Sequence, residues 1–341
     1  MQSGDRTKDA PGTAADRVAG AFVGLAIGDA AGWPSARHRS ALLAPWTRRL
    51  ERELDAFAEE HRLTTLPVPF TLNQPVEPLA LGPSDDAEWL AWTALTLHQD
   101  RAEAFTALAG RSDLRVRISV RSALANLAAG KPPPVSGHDN PHHFDDAAAV
   151  RAVAFAAAAP GSAALPDLVR ADASVTNSGD GVLGALAMAA AVAVLVAGGT
   201  MGAAVEAALA ELPGDTAIGH AARTALAAAR RAGDPFAAVP ALDAALVDHV
   251  YSYGVAAAQT VPAALALAEV SGGSLTAAVP AAACLSSLAD SAPALTGALT
   301  GARTGLRALP EGWCAAARTL TGCGLPELAG ADLIDIAGGL A

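Results

Sequence analysis

The sequence predicts an all-α protein, and three observations carry the prediction. Hydrophobic residues make up 52% of the chain and aromatics only 4%, so the apolar fraction is mostly alanine, which favours helices and tight helix packing over strands. Apolar positions recur at i, i+4 and i+7, the period of a helix face. Gly, Pro and Ser separate the periodic segments, as helix ends require. No fixed repeat joins these segments and no shift in composition divides them. They predict one compact helical domain over residues 16–341, behind a polar, mixed-charge tail at residues 1–15 that lacks the apolar core of a signal peptide.

The first helix is expected in "VAGAFVGLAIGDAAGWP", residues 18–34, with Asp16 as its cap and Val18, Phe22 and Leu25 on its apolar face. Beside them runs a stripe of Gly20, Gly24 and Gly28. Each of these glycines costs a helix about 1 kcal/mol against alanine, so their regular spacing predicts a close backbone approach that only a missing side chain permits. Residues 49–62 read as a charged surface helix, and the proline-rich run at 66–86 as a long ordered loop. A helix follows from Asp86 to about His98, with Trp89, Leu90 and Thr93 facing inward and Trp89 and Trp92 as core residues. "GKPPPVSGHDNPHHF", residues 130–144, is a second break. Beyond it, six alanine-rich segments, at 145–159, 180–198, 216–233, 257–270, 274–289 and 293–309, read as helices. The uncharged run 181–205 is long enough to span a bilayer, but alanine and glycine drive insertion weakly, so it reads as a buried central helix.

A net charge of −11 with no run of Lys or Arg argues against polynucleotide partners and anionic membranes. The cysteines Cys284, Cys314 and Cys323 are too few and too poorly spaced for a disulfide framework or a zinc site, which points to a reducing cytoplasm.

Two polar signals stand out in apolar surroundings. In "GPSDDAEW", Ser84, Asp85 and Asp86 precede a helix, where they could cap it or offer oxygen ligands to a hard cation such as Mg²⁺. In "CLSSLADSAPALTGALTG", Asp290 and Ser291 stand between apolar stretches, where a charge must be solvated, paired or metal-bound. The stretch "NSGDGVLG", with Asn177, Ser178, Gly179, Asp180 and Gly181, could cradle a pyrophosphate at a helix start. Asp29 and Asp180 are candidate acids or bases that could equally serve as helix-end groups. His142, His143, Asp145 and Asp146 read as a polar loop rather than a shared metal site, because adjacent histidines point in different directions.

Taken in order, these segments resemble the ADP-ribosylglycohydrolase family from residue 17 to about 335. "GAFVGLAIGDAAGWP" is similar to its first-helix pattern, and "SDD" to its Thr-Asp-Asp metal motif. "DDAAAVRA" loosely matches Asn-Gly-x-x-Met-Arg-Ala, "SVTNSGDGVLGA" takes the place of its Ser-His segment, and "TVPAALALAEVSGGSLTAAV" fits its penultimate helix pair. "SSLADSAPALTGALTGARTGLRALPEGW" stands against its Gly-Gly-Asp-Thr-Asp-Thr and following motifs. The resemblance implies a compact orthogonal helical bundle and a hydrolase that cleaves an ADP-ribosyl or related ribosyl bond with divalent metal. It further implies ADP-ribose or an ADP-ribosylated substrate as partner, catalytic Asp85, Asp86 and Asp290, and metal ligands Ser84, Asp85, Asp86, Asp290 and Ser291. Asp29, Asn177, Ser178, Gly179, Asp180 and Gly181 would contact the substrate.

The chain also departs from the family pattern. Ala36 stands where the family has a glutamate, Leu288 where it has a first metal aspartate, and Asn177 where it has a histidine. The family's four aspartates serve two Mg²⁺, so three imply at most one tightly bound ion here. A binding module with impaired catalysis is the alternative. A class I terpene synthase is a remote one, suggested by "DDAEW" alone, with no convincing second metal motif or aromatic pocket.

Overall fold

The computed structural model describes residues 12–32, 82–247 and 254–340, with isolated positions at 56, 59, 60 and 62. The predicted loop at 66–81, most of the predicted helix at 49–62, and Ala36 lie outside the described residues. What is described is all-α, its only pairing of extended backbone being isolated bridges between Asp145 and Ala256 and between Thr319 and Asp332.

The helices that build the site region are α1 (Ala14–Gly32), α2 (Asp85–Leu95), α3 (Arg101–Thr106), α4 (Ile118–Ala128) and α5 (Val135–His138). They are followed by α6 (Ala147–Ala158), α7 (Leu165–Thr176) and α8 (Asp180–Val196). The second half comprises α9 (Met201–Ala210), α10 (Ala217–Ala232), α11 (Pro235–Leu246), α12 (Ala257–Val270) and α13 (Leu275–Ala283). The chain closes with α14 (Ala292–Thr304), α15 (Glu311–Ala317) and α16 (Leu333–Gly338). Helices α3, α4, α5, α7, α9, α11, α15 and α16 are not among the sequence expectations. One contiguous apolar core runs from Val18 to Ala337.

The partner of the glycine stripe is α14, more than 250 positions further along the chain. A methyl group built on Gly24 would lie 3.0 Å from Gly301 Cα, and one on Gly28 would lie 2.7 Å from Ala294 Cα and run into the Pro293 carbonyl. The relation is mutual: a methyl on Gly297 would meet the Gly24 carbonyl carbon at 2.7 Å, and one on Gly301 the Gly20 carbonyl carbon at 2.8 Å. Facing glycines on both helices bring backbone against backbone, and the extra dispersion contacts offset the poor helix propensity.

Two sequence expectations are revised in this region. Helix α1 starts at Ala14, inside the segment expected to be a tail, and Thr13 caps it by accepting the Asp16 N–H at 3.1 Å. The Asp16 carboxylate instead accepts the Arg307 N–H at 3.1 Å, which fastens the start of α1 to the segment after α14. The uncharged run 181–205 divides at Gly198, whose φ of +92° ends α8, before α9 begins. No helix among the described residues is long and apolar enough to cross a membrane.

Trp89 and Trp92 are core residues. Their rings meet edge to face at 5.2 Å, and Phe105 packs against both. Next to them Asp172 is clamped between Arg151 Nε at 2.8 Å and Arg101 Nε at 2.9 Å, all three residues being buried. A buried ion triad of this kind persists only because each charge has its partner.

Candidate active site

The last turn of α1 and the first turn of α2 meet through Asp29. Ser84 holds the N-cap position of α2 but makes no side-chain cap bond. Asp29 caps the helix from outside: its carboxylate accepts the Ser84 N–H at 2.8 Å, the Ala87 N–H at 3.0 Å and the Ser84 hydroxyl. It thereby satisfies donors that a helix start leaves open. Burial, and then the neighbouring Asp85, push the Asp29 carboxyl up to about 7. Asp29 therefore occupies a structural position at the site, one of the two roles open to it from sequence.

Asp85 and Asp86 follow in the first turn of α2, both buried. Glu88, one turn further into the same helix, accepts the N–H groups of Cys323, Gly324 and Leu325 at 2.7 Å each, which fixes the C-terminal loop against α2. The 290–291 segment reaches the same place from the other end of the chain. Ser291 is buried at the N-cap of α14, and Asp290 beside it is partly exposed. Leu288 is buried in a short 3₁₀ turn, Ser286–Leu288, just before them.

What joins the two segments is a residue that sequence reasoning passed over. Arg117 precedes α4, and its side chain turns inward to only 7% exposure. Its Nη2 donates to Asp86 Oδ1 at 2.6 Å and also to the Ser291 hydroxyl oxygen, while Nη1 donates to Asp146 Oδ1. Burial alone would favour the neutral base, but Asp146, Asp86, Asp290 and Asp85 together hold the Arg117 guanidinium charged. The reciprocal effect on the acids is incomplete. Burial raises the Asp86 carboxyl well above the ordinary value against the opposing pull of Arg117, with Asp85, Asp29 and Asp146 adding to the rise. Burial likewise raises Asp146 to about 7, again against Arg117. Asp86 Oδ2 and Asp146 Oδ2 are buried and make no hydrogen bond, their other oxygens being the ones that meet Arg117.

The 142–146 loop, read from sequence as merely polar, supplies part of this cluster. Asp146 N–H donates to Val255 O at 2.9 Å and Ala257 N–H to Phe144 O at 3.0 Å, so α12 pins the loop in place. Asn177 holds it from the other side. Its amide donates to Asp145 Oδ1 at 2.8 Å and to the carbonyls of Asp145 and His143, and its own oxygen accepts the Thr176 hydroxyl at 2.6 Å. Asn177 is thus occupied in positioning Asp145.

The glycine turn beside it is formed as expected, with Gly179 at φ +54°, but four of its N–H groups turn back on the chain. Ser178 N–H donates to His143 O, Gly181 N–H to Ser178 O, and Val182 and Leu183 N–H to Gly179 O, at 2.9 to 3.2 Å. A methyl on Gly181 would lie 2.6 Å from His143 O, so close packing accounts for that glycine. Asp180 lies half-buried at the start of α8, its carboxyl raised mainly by burial.

The sequence-derived site residues therefore fall into two groups. Ser84, Asp85, Asp86, Asp290 and Ser291 gather around Arg117, with Asp29 behind them. Asn177, Ser178, Gly179, Asp180 and Gly181 form a neighbouring turn joined to them through Asp145 and Asp146.

These positions do not fit Mg²⁺. Magnesium needs close to octahedral oxygen ligation at about 2.1 Å. Among the described residues, no group of three or more His, Cys, Asp or Glu side chains could hold a metal ion together. The point between Asp86 Oδ1 and Ser291 Oγ is taken by Arg117 Nη2, and buried Leu288 contributes no oxygen.

An all-α bundle that gathers carboxyl groups from the ends of α1 and α2 and from the segment before α14 defines a recognisable class of protein. The chain belongs to the ADP-ribosylglycohydrolase family, whose model matches residues 10–339. Among solved structures, one described as an "ADP-ribosylglycohydrolase-related protein complex" shares the fold at a TM-score of 0.57 and 20% identity, covering 96% of this chain and 97% of that one. No curated protein matches the chain. Family membership supports a glycohydrolase-type function in general and leaves the terpene synthase reading without support.

Proposed function

We propose that this chain hydrolyses a ribosyl glycosidic bond in an ADP-ribosylated substrate, with Asp85, Asp86 and Asp290 at the reacting centre. The observation that carries this reading is the convergence of the 84–86 and 290–291 segments on Arg117. Hydrolysis at an anomeric carbon needs an acid for the leaving group, a base for the attacking water, and negative charge beside an oxocarbenium-like transition state. Carboxyls whose surroundings push their proton affinities apart can divide these roles. Asp86, whose carboxyl is raised well above the ordinary value by burial and by its acidic neighbours, suits the acid; Asp290, partly exposed, suits the base. Arg117 sets the orientation of Asp86 and Ser291 and offsets part of the cluster's charge.

A second reading, an ADP-ribose-binding module without turnover, is favoured by particular features. By the resemblance Leu288 replaces an acidic position of the family, and Asn177 and the N–H groups of Ser178, Gly181, Val182 and Leu183 are engaged within the protein. The deciding experiment incubates the purified protein with ADP-ribosylated arginine, serine and nucleic acid substrates, follows released ADP-ribose by chromatography, and measures ADP-ribose binding by calorimetry. Release that Asp86→Asn abolishes supports the hydrolase. Binding without release supports the module, and neither binding nor release refutes both.

A further inference from the structure

We infer that Arg117 is the resident cation of this site: its guanidinium takes the place of a divalent metal ion between Asp86, Ser291 and Asp146. The inference rests on reading this cluster as the chain's functional site, but not on which reaction occurs there.

The geometry is specific. The point between Asp86 Oδ1 and Ser291 Oγ, where a cation shared by these two oxygens would lie, is held by a single nitrogen, Nη2, that bonds both. The second amino group of the same planar fork bonds Asp146 Oδ1, so three oxygens from three distant segments are gathered by one side chain. Guanidinium suits this task, because it is always charged, less strongly hydrated than ammonium, and presents donors in fixed directions to several acceptors at once. Gathering distant oxygens is also what a bound divalent ion does. The two cations would exclude one another, since they compete for the same lone pairs and repel at a few ångströms in a poorly screened interior.

The rest of the cluster is consistent with a single positive charge. Asp146, Asp86, Asp290 and Asp85 all act on Arg117, which leaves more carboxyl groups than one guanidinium can neutralise. Just before Asp290 the buried Leu288 brings no further charge, and Asp86 and Asp146 each face Arg117 through one oxygen while the other, buried, makes no hydrogen bond. Asp146 itself has a direct partner in Arg117, so the two form a matched pair at the centre of the cluster.

The test is a Mn²⁺ titration of the full chain without nucleotide, followed by the electron paramagnetic resonance signal of free Mn²⁺ and by calorimetry. The wild type is expected to show no saturable site below millimolar Mn²⁺. The variant Arg117→Gln, which frees the oxygens and removes the charge, is expected to gain a site at least tenfold tighter. Saturable, stoichiometric binding to the wild type that Asp86→Asn removes would overturn the inference, as would a folded Arg117→Gln variant with no gain in Mn²⁺ affinity. Should Arg117→Gln fail to fold alone, refolding with Mn²⁺ decides: a recovered cooperative thermal transition supports the inference, and no recovery counts against it. Because no arm depends on turnover or on ADP-ribose, failure of the hydrolase reading would leave these results interpretable, and the reverse also holds.

Discussion

Replacing Gly28 by alanine tests the helix pairing at the centre of the fold. The new methyl would stand 2.7 Å from Ala294 Cα, where ordinary contact begins at 3.4 Å, and would overlap the Pro293 carbonyl still further, so α1 and α14 must separate locally by more than about 0.7 Å. Backbone atoms cannot swing aside as a flexible side chain can. Overpacking of this kind costs about 1–3 kcal/mol, and a gap of at least about 0.7 Å opened along the facing helices forfeits a quarter to a half or more of each dispersion contact there. Alanine returns about 1 kcal/mol of helix propensity. The balance is a loss of about 2 kcal/mol. With about 2.1 cal/mol/K of unfolding entropy per residue over 341 residues, that loss lowers Tm by about 3 °C. Urea and thermal unfolding would measure it, with Gly312→Ala as a matched control: this glycine lies in α15 with nothing within 4 Å of an added methyl, so the control should gain up to about 1 kcal/mol. A Gly28→Ala protein as stable as its Gly312→Ala counterpart would refute the close-approach argument.

Other consequences can be checked in the same way. Asp29 and Asp146 are raised from the ordinary 3.8 to about 7, so the folded state holds protons that the unfolded chain has released; their contribution is complete below 3.8 and is lost as pH rises through about 7. The urea midpoint should therefore fall between pH 5.5 and pH 8, and a midpoint that rises would contradict the burial of these carboxyls. Asp172→Asn leaves Arg101 and Arg151 as buried cations sharing one neutral amide, and should cost about 3 kcal/mol or more in denaturant unfolding. A loss below about 1 kcal/mol would mean that the triad is already solvated. Glu88→Gln sets an amide N–H₂ against the Cys323, Gly324 and Leu325 donors, so hydrogen exchange of these three amides should accelerate by tenfold or more, about 1.4 kcal/mol. Unchanged exchange would show that the C-terminal loop is held by other contacts.

Much of this architecture can be read from the chain in advance because it is written in local patterns. Alanine-rich segments of helical period lie where helices form, and the spacing of Gly20, Gly24 and Gly28 announces a close neighbour without naming it. The partner, α14, carries its own glycines at 297 and 301, so reading the two stripes as complementary would have identified the pair. The association of Ser84, Asp85 and Asp86 with Asp290 and Ser291 also has a sequence signal, since acidic residues in apolar surroundings need compensation. Arg117 carries none. In "RSDLRVRISV" it looks like one of several surface arginines, and only the meeting of three remote segments turns it inward. Asp145 and Asp146 were hidden for a related reason: their role is fixed by Asn177 and Arg117, neither of which is adjacent in sequence.

The pairing of α1 with α14 also bears on how the polypeptide acquires its shape. The groove of α1 is filled by a helix more than 250 positions later in the chain, so the glycine seam cannot close until that later segment has been synthesised. Until then a largely apolar helix with a bare seam stays open to wrong neighbours. Late closure of that seam makes the nascent form vulnerable to aggregation, and sets the step at which a chaperone would help most.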